Sequence, residues 1–262
     1  MPEGHLIHHL AGTHARDLAG APTAVSSPQG RFAREAATLD GRSLDEVEAF
    51  GKHLFYRWGN DVVHVHLGKQ GLFLAFPTPA PPPRGGVRLR IAGDRATIDL
   101  IAPRICELGT ETTRDAVVSR LGPDPLRPET RRDDVLEALP RSARPIGAVL
   151  LDQSVVSGVG NVLRAEALSI ARIHPSTPAN LLAPGDLARL WDELVALMRR
   201  SEELGRIRTI ITDPEVPDVE TRFVYKQERC RRCGTPVEVE EVGGRTSYAC
   251  PRCQPPFGTG QT

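Results

Sequence analysis

Short β-branched and aromatic runs separated by turn residues fill the first 120 residues, and a helical period fills most of the remaining chain. Phe55-Tyr56-Arg57-Trp58 and Val62-Val63-His64-Val65-His66-Leu67 flank Gly59-Asn60-Asp61. Val87-Arg88-Leu89-Arg90-Ile91 and Ala96-Thr97-Ile98-Asp99-Leu100 flank Ala92-Gly93-Asp94. Each pair predicts two strands joined by a turn. The five prolines between Pro77 and Pro83 predict a loop. Ahead of the strands, His5 to Leu18 predicts a helix with Leu6, His9, Leu10 and Leu18 on one face. After a proline-rich hinge, Leu121 to Pro128, helices are predicted over Arg132–Leu139, Ile146–Leu151, Asn161–Ile173 and Asp186–Leu204. The last has Asp186 as N-cap and Gly205 as its stop, with Leu187, Leu190, Trp191, Leu194, Leu197 and Met198 as a core-facing stripe.

A length of 262 residues with 40% hydrophobic positions excludes wholesale disorder and fits one large or two modest domains. Gly 24 and Pro 23 imply many loops rather than a long helical bundle. No apolar run approaches the ~20 residues needed to span a bilayer. The N-terminus lacks the basic stretch and apolar core of a secretory signal, so a cytoplasmic, non-secreted protein is expected. The 33 basic and 33 acidic side chains balance, which argues mildly against nucleic-acid binding. The balance is uneven along the chain. Residues 201–220 hold six acids and two bases, whereas residues 222–262 hold seven bases and four acids. A basic C-terminal tip therefore hides within a neutral average.

That tip carries Cys230-Arg231-Arg232-Cys233 and Cys250-Pro251-Arg252-Cys253, 16 residues apart. Each Cys-x-x-Cys turn offers two thiolates on one side, and two such knuckles complete a tetrahedral zinc site. Thr235–Val242 and Arg245–Ala249 read as a hairpin turning at Gly243-Gly244. A closed four-thiolate site folds the tip and has no open position for catalysis. The fifth cysteine, Cys106, reads as a small buried hydrophobe. Between two helical segments, Gly158-Val159-Gly160-Asn161 lets backbone N–H groups approach a partner at a helix N-terminus. Asn161 there is suited either to cap the helix or to donate to a phosphate, and spacing alone does not choose between them.

Met1-Pro2-Glu3-Gly4, the turn Gly158-Val159-Gly160-Asn161 and the four-cysteine tip together resemble the formamidopyrimidine-DNA glycosylase/endonuclease VIII family, across essentially the whole chain. Gly51-Lys52-His53-Leu54-Phe55, Leu151-Asp152-Gln153 and Gly244-Arg245 match as well, and the Pro-Glu-Gly start looks more like the endonuclease VIII branch. The resemblance implies an α+β fold: an N-terminal two-layer β-sandwich with flanking helices over residues 1–120, a helix–two-turns–helix domain over 129–220, and a zinc-finger β-hairpin over 221–262. It implies one structural zinc ion, held by Cys230, Cys233, Cys250 and Cys253, and a monomer that binds damaged double-stranded or abasic-site DNA.

Removal of Met1 before the small Pro2 would leave a secondary amine, and an α-amino group titrates near pH ~8, so part of it is a neutral nucleophile at pH 7. Attack on an anomeric carbon gives an iminium ion, expels the base and acidifies the adjacent proton, so that elimination breaks the strand. Glu3, next to Pro2, is placed to protonate the sugar ring oxygen or to shuttle protons. By resemblance, Lys52 contacts phosphate and assists as an acid, Asn161 and Arg245 grip phosphate, and Lys69 and Gln70, in the loop after the His64–His66 strand, fill the gap left by a flipped nucleotide. This chain departs from many relatives in having His5-Leu6 where they have Pro-Glu, Arg144-Pro145 without a lysine, and no apolar wedge in Gly68-Lys69-Gln70-Gly71. The expected function is a bifunctional DNA glycosylase/AP lyase acting on oxidised pyrimidines. The alternatives are oxidised purines as substrate, a damage-binding protein without chemistry, and a proline tautomerase.

Overall fold

The computed structural model describes residues 2–258. Met1, whose removal the amine chemistry requires, and the last four residues of the expected finger segment lie outside the described residues. The chain divides into two compact units: Pro2 with Ile7–Arg120, and Glu3–Leu6 with the chain from Leu121 onward.

The first unit is a pair of four-stranded antiparallel sheets. One runs β2 (Glu46–Phe50), β3 (His53–Trp58), β4 (Asp61–His66), β8 (Ile105–Thr110). The other runs β1 (Ala24–Ser26), β6 (Val87–Ala92), β7 (Ala96–Ile101), β5 (Leu72–Pro77). Leu54, Tyr56, Trp58, Val63 and Val65 from the first sheet join Leu89, Ile91, Ile98 and Leu100 from the second in one buried cluster, the filling of a two-layer sandwich. Its polar atoms are paired: Trp58 Nε1 donates to Thr23 Oγ1 at 3.2 Å, and His14 Nδ1 lies 2.6 Å from the Tyr56 hydroxyl. Cys106 packs on the same cluster, and burial pushes its thiol up to about 12.

Helices α1 (Gly4–Leu18), α2 (Ala33–Leu39) and α3 (Glu111–Val118) flank the strands. The buried face of α1 runs through Ile7, Ala11, His14 and Leu18 rather than the predicted Leu6, His9, Leu10 and Leu18. Rotation by one position puts the polar His14 inside, and period alone does not foresee a buried histidine satisfied by Tyr56. The loop Gly68-Lys69-Gln70-Gly71 passes from β4 in one sheet to β5 in the other, so it is a crossover and not a hairpin loop.

In the second unit α4 (Arg132–Ala138), α5 (Ile146–Val149), α6 (Asn161–Ala171) and α7 (Pro184–Leu204) enclose a core that takes in the whole predicted stripe of α7. Helix α7 starts two residues before the predicted N-cap. Pro184 sits in its first turn, where a missing N–H costs nothing, and Asp186 lies inside that turn. Helix α6 stops at Ala171 because Arg172 turns left-handed at φ 56°. A final hairpin pairs β9 (Glu238–Glu241) with β10 (Thr246–Ala249). Among the described residues no helix is long and apolar enough to cross a membrane.

Candidate active site

The glycine turn is occupied by its own chain. Gln153 braces it: Nε2 donates to the Leu151 and Val159 carbonyls at 3.1 and 3.0 Å, and Oε1 accepts the Gly158 N–H at 3.1 Å. The Gly4 N–H donates to the Gly158 carbonyl at 2.8 Å. The Glu3 carboxylate then accepts the N–H groups of Gly160, Val162 and Leu163 at 3.2, 2.9 and 3.1 Å, and Glu3 is 1% exposed. A helix N-terminus leaves its first N–H groups without intrahelical partners and carries partial positive charge. Here an internal anion satisfies both demands.

The two glycines are needed for that clasp. A Cβ on Gly160 would lie 2.3 Å from Glu3 Cδ, and one on Gly4 would lie 2.8 Å from Gly158 Cα. The close approach that the sequence offers to a phosphate is thus used for Glu3, the residue after Pro2.

The next turns of α6 bind the C-terminal hairpin. Asn161 Nδ2 and Arg164 Nη2 both donate to the Thr246 carbonyl, at 2.9 and 2.7 Å, and Arg164 Nη1 reaches the carbonyls of Val242 at 3.2 Å and Gly147 at 3.4 Å. Arg164 is fully buried. Burial, reinforced by the charge of Arg245 and opposed by that of Glu3, pushes its guanidinium down to about 10. Glu166, also fully buried, accepts three successive N–H groups, Phe223 at 2.7 Å, Val224 at 3.0 Å and Tyr225 at 2.8 Å. Burial and the Glu3 charge push the Tyr225 phenol up. The sequence alone does not single out Arg164 and Glu166, because charged residues in a helix ordinarily face solvent. The available signal was their place three and five residues after Asn161.

Arg245 stands exposed just past the Gly243-Gly244 turn, whose left-handed φ values of 63° and 71° make a tight two-residue hairpin. The cysteine Sγ atoms of Cys230, Cys233, Cys250 and Cys253 lie within 4.8 Å of one another, with separations of 3.5 Å for Cys233–Cys250 and Cys233–Cys253 and 4.0 Å for Cys230–Cys253. A tetrahedron with zinc–sulfur bonds of about 2.3 Å has edges of about 3.8 Å, so the four thiols fit that ion.

In the first unit, Lys52 occupies the tip of the β2–β3 hairpin. Phe50 pairs with His53, Gly51 takes φ 58°, and Lys52 is half-buried. Lys69 and Gln70 are exposed on the crossover turn, which the Gly71 N–H closes onto the Leu67 carbonyl at 3.0 Å. Glu3, Asn161 and Arg245 therefore gather around one end of α6, whereas Pro2, Lys52, Lys69 and Gln70 belong to the first unit.

Residues 1–105 match the formamidopyrimidine-DNA glycosylase N-terminal domain, 121–213 the H2TH domain of that glycosylase, and 227–256 a zinc finger found in FPG and IleRS. "Endonuclease 8 1" of Mycobacterium tuberculosis is 42% identical over 97% of this chain and 100% of its own length. "DNA-(apurinic or apyrimidinic site) lyase Nei2" of Mycolicibacterium smegmatis is 34% identical over 97% of this chain and 99% of its own. The fold matches Lactococcus lactis Fpg in complex with an abasic site containing DNA, with a TM-score of 0.79 at 22% identity, covering 97% of this chain and 99% of that one. Domain order, the cysteine cluster and whole-length identity agree, and the chain belongs to the formamidopyrimidine-DNA glycosylase family.

Proposed function

We propose that this chain is a bifunctional DNA glycosylase and AP lyase of base-excision repair, with the secondary amine of Pro2 as nucleophile once Met1 is removed. The observation that carries the reading is the Glu3 clasp. It fixes a carboxylate one residue from the amine, held by three backbone N–H groups. Whole-length relatives named for endonuclease 8 and for AP lyase support it.

Pro2 attacks the anomeric carbon, the damaged base leaves, and a cationic iminium forms on the proline nitrogen. Glu3 stands ready for that charge and need not move, since its donors are fixed before the reaction starts. Loss of the C2′ proton expels the 3′ phosphate, and a second elimination expels the 5′ phosphate. Lys52, at a hairpin tip, contacts phosphate and serves as an acid. Asn161 and Arg245 hold phosphate beside the lesion, and Lys69 and Gln70 fill the vacated stack. Zinc on the four thiolates would fix the hairpin that presents Arg245 and takes no part in the chemistry. The enzyme works as a monomer on damaged duplex or abasic-site DNA.

Oxidised pyrimidines are the proposed lesions. Support comes from the Pro2-Glu3-Gly4 start and from 42% identity to the protein named Endonuclease 8 1, against 34% to the formamidopyrimidine-DNA glycosylase of Symbiobacterium thermophilum. Borohydride trapping on an oligonucleotide with one abasic site tests the nucleophile. The expected adduct maps to Pro2 and vanishes in an N-terminally extended form. Strand cleavage that persists in that form would overturn the reading. Excision of thymine glycol against 8-oxoguanine decides the lesion class.

A further inference from the structure

The sheet β2-β3-β4-β8 has a second face that the proposed reaction leaves unused. Leu54, Tyr56, Val63 and Val65 point into the core, so alternation sends His53 and Phe55 of β3, His64 and His66 of β4, and Glu107 of β8 to the opposite side. Strand register sets Phe55, His64 and Glu107 in one row and His53 and His66 in the next.

Three of these side chains form an unbroken chain. Glu107 Oε1 lies 2.9 Å from His64 Nδ1, and His64 Nε2 lies 2.8 Å from His53 Nδ1. A carboxylate oxygen accepts, so His64 Nδ1 donates to it and leaves Nε2 to accept. His53 Nδ1 therefore donates to His64, and its own Nε2 keeps a lone pair. The His64 ring, 3% exposed, stacks on Phe55 at 5.0 Å, whereas Glu107 is 54% exposed. The chain of hydrogen bonds thus starts in solvent, passes through a buried ring and ends at the residue next to Lys52.

We propose that Glu107, His64 and His53 form a proton wire linking solvent to the Lys52 hairpin tip, and that it carries off the proton released in the elimination step. The proposal rests on the lyase reading. A proton arriving at His53 Nε2 forms a new N–H bond there. The Nδ1 proton of His53 passes to His64 Nε2, the Nδ1 proton of His64 passes to Glu107, and Glu107 releases it to water. Both rings exchange tautomers, no charge is left behind, and no oxidant or reductant is involved.

The groups facing His53 are Lys52 beside it, His64 and His66 from β4, and Phe50 opposite on β2. Arg104, just before β8, acts on His66. Burial first, then the neighbouring imidazoles and Lys52, pushes His53 down to about 3, so its ring is neutral at pH 7 and passes an arriving proton on along the hydrogen-bonded chain instead of holding it. His66, pushed down to about 4 by burial and Arg104, is neutral too and accepts the Gly68 N–H at 3.0 Å, so it adds no competing cation.

The test compares Glu107→Gln and His64→Gln with the wild type in single-turnover cleavage of abasic-site DNA from pH 5 to 9. A glutamine amide preserves hydrogen bonding at either position and does not relay a proton. The expected result is cleavage slowed on the order of tenfold at pH 7, with the pH profile displaced, partial rescue by added imidazole, and a borohydride adduct yield that is unchanged or raised. A purely structural role would lower adduct yield and cleavage together. Glu107→Gln alters a half-exposed side chain, so an unchanged melting temperature keeps the comparison valid. Cleavage within twofold of wild type across the pH range, in folded Glu107→Gln, would overturn the wire. Failure of the lyase reading shows in the wild type itself, as neither adduct nor cleavage, and removes the wire with it.

Discussion

Gly160→Ala is the sharpest probe of the Glu3 clasp. Gly160 has φ −119° and ψ −164°, an extended conformation open to any residue, so the substitution tests space alone. The new Cβ would meet Glu3 Cδ at 2.3 Å where ordinary contact begins at 3.4 Å, so the carboxylate must retreat by about 1.1 Å. Hydrogen bonds of 2.9 to 3.2 Å then stretch to about 4 Å and are lost. Freeing a buried carboxylate and three helix-end donors costs about 3 kcal/mol, less than three separate charged bonds because the losses are not additive. At 2–4 °C per kcal/mol for a chain of this size, melting of the second unit falls by about 6–12 °C. Trp191, buried in α7, reports that unit by fluorescence once Trp58 of the other unit is replaced by phenylalanine. Glu3→Ala alone costs a similar amount. The double variant Glu3→Ala/Gly160→Ala costs little more than Glu3→Ala, a coupling of about 2–3 kcal/mol, because the clash has lost its partner. A Gly160→Ala protein that melts within about 1 °C of its parent, or a double variant whose cost is the sum of the singles, refutes the clasp.

Burial holds the His14 ring neutral, with its pKa pushed down from 6.5 to about 3. The unfolded chain therefore binds more protons between those values. The stability of the first unit is full above pH 6.5 and declines as pH falls toward 3; urea titrations over that range should show the slope, and His14→Gln should flatten it. Zinc analysis after chelation should release one ion per chain, and Cys230→Ser should hold none and lose the circular-dichroism signal of the β9–β10 hairpin. Arg245→Ala changes an exposed side chain, so the melting temperature should hold. Affinity for abasic-site DNA should fall, and the slope of log affinity against log salt should shrink by about 1.

Strands β3, β4, β6 and β7 were legible because strand runs and turn residues announce themselves locally, as at Gly59-Asn60, whereas the α+β class and the two-layer sandwich came from the family resemblance. The cysteine cluster was legible because paired knuckles have few other uses. Strands β1, β2, β5 and β8 went unseen. Glu46-Val47-Glu48-Ala49-Phe50 alternates weakly, and Ile105 to Thr110 becomes a strand only by pairing with β4. The reading of the glycine turn was incomplete for a similar reason: Gly160 fits a phosphate or a carboxylate equally well, and only the fold brings Glu3 to it across 157 positions of sequence. Arg164, Glu166 and the histidine chain share that property. Their partners lie in other elements, and no local pattern in a single sequence marks a charge that tertiary contacts will satisfy.

Helix α6 is synthesised well before the segments that neutralise its buried charges. Arg164 waits for the carbonyls of Val242 and Thr246, Glu166 for the amides of residues 223–225, and the Ile173 carbonyl for Gln254. A chain cut short before residue 220 would lack all of these partners, so the inner face of α6 would be left with an arginine and a glutamate that no protein group satisfies. Unfinished copies would then be marginal from the outset and open to proteolysis. Completion of the last segment thereby acts as the quality check on the whole second unit.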